Sequence, residues 1–330
     1  MIRSILNTEL QVSSLKQVTS TSVLLIILCL GLLSFSGIGT AKAEGAIHIK
    51  ADGSVEGTNA IQHDGNVYTF TANIDNAYGI IIEKDNIVID GASYALQGAE
   101  SETGLGITYR TNVTITNLQV INFFYGIVLD GSLNCFVHGN TLRNRVCGIW
   151  LYRSQNSSIN RNAISESGDS GIQIDQASGN TVSANAIANN TIGMWINGAA
   201  NTTFYANNVT DSTLYGIMFS QAYASTGNLF YGNNFVNNPQ QVVTYGQRST
   251  WDNSSIGNYW SDYAGNDLNH NGIGDTPCAI DANNTDRNPL TNPVAIPELT
   301  QWIILPLLTI ATTSAIIIKK KTPRRFRLSP

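Results

Sequence analysis

Between Tyr125 and Phe219 short stretches with an apolar residue at every second position recur behind a glycine: "YGIVL", "CGIWL", "SGIQI", "IGMWI" and "YGIMF". The glycines are Gly126, Gly148, Gly171, Gly193 and Gly216, at steps of 22, 23, 22 and 23. Alternation of apolar and polar residues predicts strands with one buried face. A fixed step of this length predicts a repeat architecture, one unit per step. Two asparagine series accompany it: Asn117, Asn140, Asn162, Asn185 and Asn207, at steps of 23, 22, 23 and 22, and Asn112, Asn134, Asn156, Asn180, Asn201 and Asn228, which mark the start of each unit at steps of 22, 22, 24, 21 and 27. Leucine-rich repeats have a similar period but need a dense leucine column, which is absent. The pattern fits an all-β fold, a parallel β-solenoid of about 22–23 residues per coil. Each coil holds about three short strands joined by turns, and successive coils stack ~4.8 Å apart.

In such a stack Ile127 and Leu129, Ile149 and Leu151, Ile172 and Ile174, Met194 and Ile196, and Ile217 and Phe219 point inward. The glycine opens a strand after a corner, where a side chain would crowd the turn. Equivalent asparagines lie above one another and can pass amide hydrogen bonds up the stack. Asparagine also tolerates the left-handed conformation of tight corners. The asparagine columns are therefore assigned to structure, not to catalysis. "SANAIANNTIGMWI" (183–196) reads as the turns and strand of one coil rather than as an alanine-rich helix.

The repeats are placed at 86–250, because "NIVIDGASYALQG" from Asn86 resembles "NVTITNLQVINF" from Asn112. Residues 44–85 are strand-rich but out of register and are read as an N-terminal cap and first strands, since a solenoid end must be closed. An Asn/Asp-rich tail follows at 251–293. The apolar run "VLLIILCLGLLSFSGIG" and the small-x-small triplet Ala41-Lys42-Ala43 predict a signal peptide over 1–43. The apolar run at 300–318 predicts a transmembrane helix, with 319–330 as a basic cytoplasmic tail. The main domain is then extracytoplasmic, in the cell membrane by a single pass.

Composition sharpens this. Charged residues are only 12% and the net charge is −5, with Lys319, Lys320, Lys321, Arg324, Arg325 and Arg327 clustered at the far end. That excludes nucleic acid as a partner of the main domain. Beyond Cys29 in the first apolar run, Cys135, Cys147 and Cys278 form no disulfide framework. A monomer is expected.

The repeated Asn…Asn…GI coil resembles the right-handed parallel β-helix repeats of the NosD-like and carbohydrate-binding/sugar-hydrolase families. The tail "NYWSDYAGNDLNHNGIGDTPCAIDANNTDRNPLTNP" and the "PELTQWIILPL" that follows it are similar to the end of archaeal NosD-like surface proteins. The resemblance spans about Ala46 to Pro293. It implies a right-handed β-helix and, through the NosD name, a role in supplying copper to a nitrous oxide reductase, which needs soft ligands. His48, His63, His138, His270, Met194, Met218 and the three cysteines do not cluster in the sequence, so copper is not the expected cofactor.

The outward positions of the GI strands are where a ligand could meet the solenoid. One column reads Val128, Trp150, Gln173, Trp195, Met218, and the next reads Asp130, Tyr152, Asp175, Asn197, Ser220, with Arg153 beside it. Trp150 and Trp195 stand two coils apart, ~9.6 Å, a spacing at which aromatic rings can stack on sugars. With Tyr152 and Asn197 they form the candidate ligand-binding set, and their alternative duty is to cover the sheet face. The enzyme alternative, a polysaccharide lyase or hydrolase, would use Asp130 and Asp175 as an acid/base pair with Arg153.

In "DLNHNGIGD", Asp267, Asn269, Asn271, the Ile273 carbonyl and Asp275 follow the spacing of an oxygen-ligand calcium loop, with Gly272 at the sharp turn. The position of the bidentate glutamate holds Cys278 instead. Calcium is thus a candidate cofactor and a plain Asn/Gly turn the alternative. Glycosylation sequons begin at Asn112, Asn156, Asn189, Asn201, Asn208, Asn253 and Asn283. The expected function is binding of an extracellular polysaccharide or cell-surface glycan, or a surface scaffold.

Overall fold

The structure, a computed structural model, describes residues 40–42, 45–99 and 102–296. The expected transmembrane helix, the basic tail and nearly all of the expected signal peptide lie outside these residues.

Each 22- or 23-residue step makes one three-sided coil. The coil beginning at Val113 runs through strands Val113–Thr116, Gln119–Ile121 and Tyr125–Asp130. We call the sheets that these extend the first, second and third. The next coil adds Phe136–His138, Thr141–Arg143 and Cys147–Tyr152, each parallel to its predecessor. Strands this short suffice because each pairs on both sides and buries its alternate residues. In the third sheet Ile127, Ile149, Ile172, Met194, Ile217 and Val242 stack in register. All of them are buried. Among the described residues there is no helix. The fold is the expected all-β parallel solenoid.

The glycine column holds for a steric reason. A Cβ on Gly193 would lie 2.4 Å from Val209 Cγ1 and 2.6 Å from the Gly216 carbonyl oxygen. The coil behind the corner leaves no room for a side chain.

The asparagine ladder is present, but it begins one coil later than the sequence suggests. Asn140 Nδ2 donates to Asn162 Oδ1 (3.0 Å), Asn162 to Asn185 (3.0 Å), Asn185 to Asn207 (2.9 Å), Asn207 to Asn233 (2.9 Å) and Asn233 to Asn258 (2.8 Å). Asn117 is not a rung. It is exposed, left-handed (φ 53°), and donates to Asp90 instead. The residue in the rung position is Leu118, whose N–H reaches Asn140 Oδ1. The other asparagine series also merges two adjacent columns. Asn112, Asn134, Asn156 and Asn201 are left-handed corner residues, aligned with Gly179 and Gly227. Asn180 and Asn228 sit one position later, buried, and accept the N–H of Ser157 and Thr202. Both positions favour asparagine, one for its φ and one for its amide, so spacing alone cannot separate them.

The sheets reach further towards the N-terminus than the repeat pattern. Ile47–Ile49 and Ile80–Ile82 pair in the third sheet, and Val67–Phe70 joins the first. Antiparallel additions, Val55–Glu56 and Ile61–Asp64, cover this end. At the other end the core is closed by stacked aromatics. Phe230 lies 4.3 Å from Phe204 and 4.5 Å from Trp251, and Phe235 lies 4.6 Å from Trp260. A hairpin, Cys278–Asp281 with Asn284–Asp286, lies over the last coil. Cys135, Cys147 and Cys278 are free thiols.

Candidate ligand face

The third sheet carries its outward residues in the expected register: Val128, Trp150, Gln173, Trp195 and Met218 in one column, Asp130, Tyr152, Asp175 and Asn197 in the next. The strands hold these side chains on one face because their neighbours Ile149, Leu151, Ile172 and Ile174 are locked in the core.

Trp150 is the centre of an aromatic cluster. Its ring lies 5.2 Å from Tyr125 and 5.6 Å from Tyr152. The Arg153 guanidinium sits 4.6 Å over the Tyr152 ring, exposed and without an ion-pair partner among the described residues. These rings are half-buried and adjacent, tilted to one another by 33° and 38°.

Asp175 is fixed by its neighbours. Oδ2 accepts Trp150 Nε1 at 2.8 Å and Gln173 Nε2 at 2.7 Å, and Oδ1 accepts Asn197 Nδ2 at 2.6 Å. Only 6% of it is exposed. Asp130 is half-buried at the preceding end of the same column. Trp195 is half-buried two coils beyond Trp150, and its Nε1 is buried without a hydrogen-bond partner.

Residue spacing missed several members of this face. Tyr125 belongs to it, as do His48, Lys50, Glu83 and Arg110 at its N-terminal end. His48 Nδ1 meets Glu83 Oε1 at 2.9 Å, Lys50 lies 3.4 Å from Glu56, and Arg110 donates to the Glu83 carbonyl at 3.0 Å. The hydrogen bond from His48, with Lys50 and Arg110 nearby, holds the Glu83 carboxyl below the usual carboxylate range. The alternation "IHI" at 47–49 was the available signal, hidden by the antiparallel additions that break the period.

The DLNHNGIGD loop closes on itself. Asp267 accepts the N–H groups of Asn271 (3.1 Å) and Gly272 (2.9 Å), Asn269 that of Asn271 (3.1 Å), Asn271 that of Ile273 (2.8 Å), and Asp275 that of Leu268 (2.8 Å). Among the described residues no three His, Cys, Asp or Glu side chains converge on a metal position. The soft donors that copper would need are dispersed. His48 pairs with Glu83, His63 stacks on Tyr68, His138 lies on the first sheet beside Thr116, and His270 is exposed in the tail. Met194, Cys135 and Cys147 are in the core, and burial pushes the Cys147 thiol up to about 12 and Cys278 up to about 11. The donor set does not fit a copper centre.

Six of the seven sequon asparagines are exposed, and Asn208 is half-buried. Asn112, Asn156 and Asn201 share one corner column, on alternate coils. No described helix is long and apolar enough to cross a membrane.

The solved structures that the chain resembles include the periplasmic alginate epimerase AlgG, with a TM-score of 0.48 and 16% identity over 55% of this chain and 47% of that one. The lidless DFA-IIIase of Arthrobacter chlorophenolicus A6 gives a TM-score of 0.41 and 16% identity over 60% and 52%. Similarity of this degree says nothing about activity, and the chain spans about half the length of these proteins. A curated relative, "Probable ABC transporter binding protein NosD" of Stutzerimonas stutzeri, is 48% identical over 52 residues, 16% of this chain and 12% of that protein. Residues 46–265, which hold all of the coils from the third sheet's first strand to the last aromatic layer, match the model of the periplasmic copper-binding protein (NosD), and the chain belongs to the NosD family.

Proposed function

We propose that this chain is an extracytoplasmic β-helix protein that binds extracellular carbohydrate on its third sheet, exported by residues 1–43 and held at the membrane by 300–318. The observation that carries this reading is the cluster Tyr125–Trp150–Tyr152, three adjacent half-exposed rings with an unpaired Arg153 at their edge. The rings are tilted to one another by 33° and 38°, so each offers its own apolar face to the C–H face of a sugar, and the guanidinium donates to the sugar's oxygens. The alternative, a polysaccharide lyase or hydrolase working through Asp130, Asp175 and Arg153, has less support. Both oxygens of Asp175 already accept hydrogen bonds, and acid/base work needs two carboxylates open to one substrate. Among the described residues a NosD-type copper role has no converging donors behind it.

The test is retention on a panel of immobilised polysaccharides. Trp150→Ala is expected to weaken retention by about tenfold, the loss of one good stacking contact and its buried area. Cleavage of any polysaccharide that Asp130→Asn abolishes would decide for the enzyme. No retention and no cleavage would leave a surface scaffold.

Calcium binding by Asp267, Asn269, Asn271, Ile273 and Asp275 is a weak-site proposal, since the loop's own N–H groups compete for the same oxygens. About 10 mM calcium, at the weak extracellular end of such sites, is expected to raise Tm by a few degrees in the native chain and not in Asp267→Ala. An unchanged Tm in the native chain sinks the proposal. Modification at Asn112, Asn156 and Asn201 would leave the third sheet free, because these three lie at the corner before the first sheet.

A further inference from the structure

The third sheet repeats one arrangement twice but completes it once. Trp150 reaches the carboxylate 25 residues on, Asp175, which accepts its indole N–H at 2.8 Å. Trp195 is the next tryptophan of the same column, two coils later. The residue 25 beyond it is Ser220, whose hydroxyl accepts the Ala222 N–H at 3.1 Å. Trp195 Nε1 is buried and has no partner. Asn197, two residues on and outward on the same face, gives its Nδ2 to Asp175, while its Oδ1 is buried and equally unpartnered. A bare donor and a bare acceptor thus stand at i and i+2 of one strand.

A longer connection lies against Gly198, the neighbour of Asn197. Five residues, Gly131–Cys135, join the third sheet to the first in an ordinary coil, but nine, Ser220–Asn228, do so after Phe219. This loop brings exposed Tyr223 against Gly198, where an added Cβ would lie 2.8 Å from Tyr223 Cβ. The absence of a side chain at 198 is what admits the tyrosine beside Asn197.

We propose that Trp195 and Asn197 form a hydroxyl-recognising subsite for a neutral sugar. This rests on the carbohydrate reading above and names the class of sugar. Once the side chains that bury them part, sugar hydroxyls accept from Trp195 Nε1 and donate to Asn197 Oδ1, satisfying groups that are otherwise unpaired. A carboxylate could take the first bond only. It would face the Asn197 oxygen with a second acceptor and stand close to Asp175, so uronates are disfavoured. Trp150 has given its N–H to Asp175 and contributes its ring. Trp195 keeps its N–H for the ligand.

The test is fluorescence titration of the full chain with cellohexaose, mannohexaose, xylohexaose and hexagalacturonate. Native protein, Trp195→Phe, Trp150→Phe and Trp150→Ala are compared, with Tm measured for each without ligand. A neutral hexasaccharide is expected to bind best. Trp195→Phe should weaken it about tenfold while lowering the ligand-free Tm less than Trp150→Phe, which takes a donor from Asp175. Native-like binding by Trp195→Phe, with binding lost in Trp150→Ala, overturns the subsite and leaves the carbohydrate face standing. So does preference for the uronate. If Trp195→Phe costs as much ligand-free Tm as Trp150→Phe, the indole N–H is already satisfied and the subsite is overturned. Binding of none of the four probes overturns the subsite together with the neutral-sugar reading.

Discussion

Asn185→Ala is expected to destabilise the solenoid by about 3–5 kcal/mol, among the largest losses available to a single polar side chain in this fold. Asn185 Oδ1 accepts both the backbone N–H and the Nδ2 of Asn162, each at 3.0 Å, and its Nδ2 donates to the Ile159 carbonyl and to Asn207 Oδ1, each at 2.9 Å. Its side chain is fully buried. Alanine leaves several of these groups buried and unpaired, at about 1–3 kcal/mol each before relaxation. Coils contact only their neighbours, so the loss falls on two interfaces of the stack. Denaturant unfolding followed by tryptophan emission measures it, with Asn117→Ala as the comparison. Asn117 is an exposed corner residue held left-handed (φ 53°), so its replacement should cost only about 1 kcal/mol, the strain of alanine in that conformation. Equal effects of the two substitutions would mean that the ladder contributes nothing net. Leu118 sharpens the contrast. An apolar residue holds the rung position only at the first step, where no amide from a preceding rung needs an acceptor.

The period of the fold was legible because one steric condition recurs in every coil. Any side chain at Gly126, Gly148, Gly171 or Gly193 would strike the carbonyl of the next glycine in the column, so the column cannot drift. The inward pairs Ile149/Leu151 and Met194/Ile196 follow from alternation once that corner is set. Column membership was less legible at Asn117 and Asn180, because neighbouring corner positions select asparagine for different reasons. The first coils were hidden by two antiparallel additions that leave strand patterns intact but break their spacing. The candidate face was half legible. Trp150, Tyr152 and Asp175 were found as outward residues. The hydrogen bonds that disarm Asp175 as an acid/base group join residues up to 25 apart along the chain and depend on rotamers that spacing does not encode.

The end of the ladder carries the second large prediction. The last rung, Asn258, has no asparagine beyond it in a further coil. Asp286, returning on the hairpin, takes that place. Its Oδ2 accepts Asn258 N at 2.7 Å, as each rung's Oδ1 accepts the N–H of the rung before, and also accepts Trp260 Nε1 at 2.9 Å. Gly257 is required beside it, since any Cβ there would overlap the carboxylate. Asp286→Ala should therefore cost about 3–4 kcal/mol, from two buried donors left unpaired and the hairpin loosened from the aromatic layer. Asp286→Asn keeps an acceptor at the rung and should cost less than half as much, giving up chiefly the 3.1 Å bond from Asn288 N. The two variants also differ from the native chain in pH dependence. Burial raises the Asp286 carboxyl above its usual 3.8, against hydrogen bonds from Asn258, Trp260 and Asn288 that pull it down. The folded chain then holds this proton more tightly than the unfolded chain. Its contribution to stability is full below the unfolded value and is lost as pH rises through the folded one. Asp252 has the opposite sign. Burial opposes its ionisation, but the Arg287 side chain and the N–H groups of Ser254 and Arg287 outweigh it, so its contribution is lost as pH falls through its lowered value. Between about pH 7 and pH 4, acidification should thus stabilise the native chain relative to Asp286→Asn, a gap read directly from unfolding midpoints at the two pH values. A constant gap across that range would mean that Asp286 closes the ladder as a fully ionised carboxylate, its desolvation offset by the donors around it.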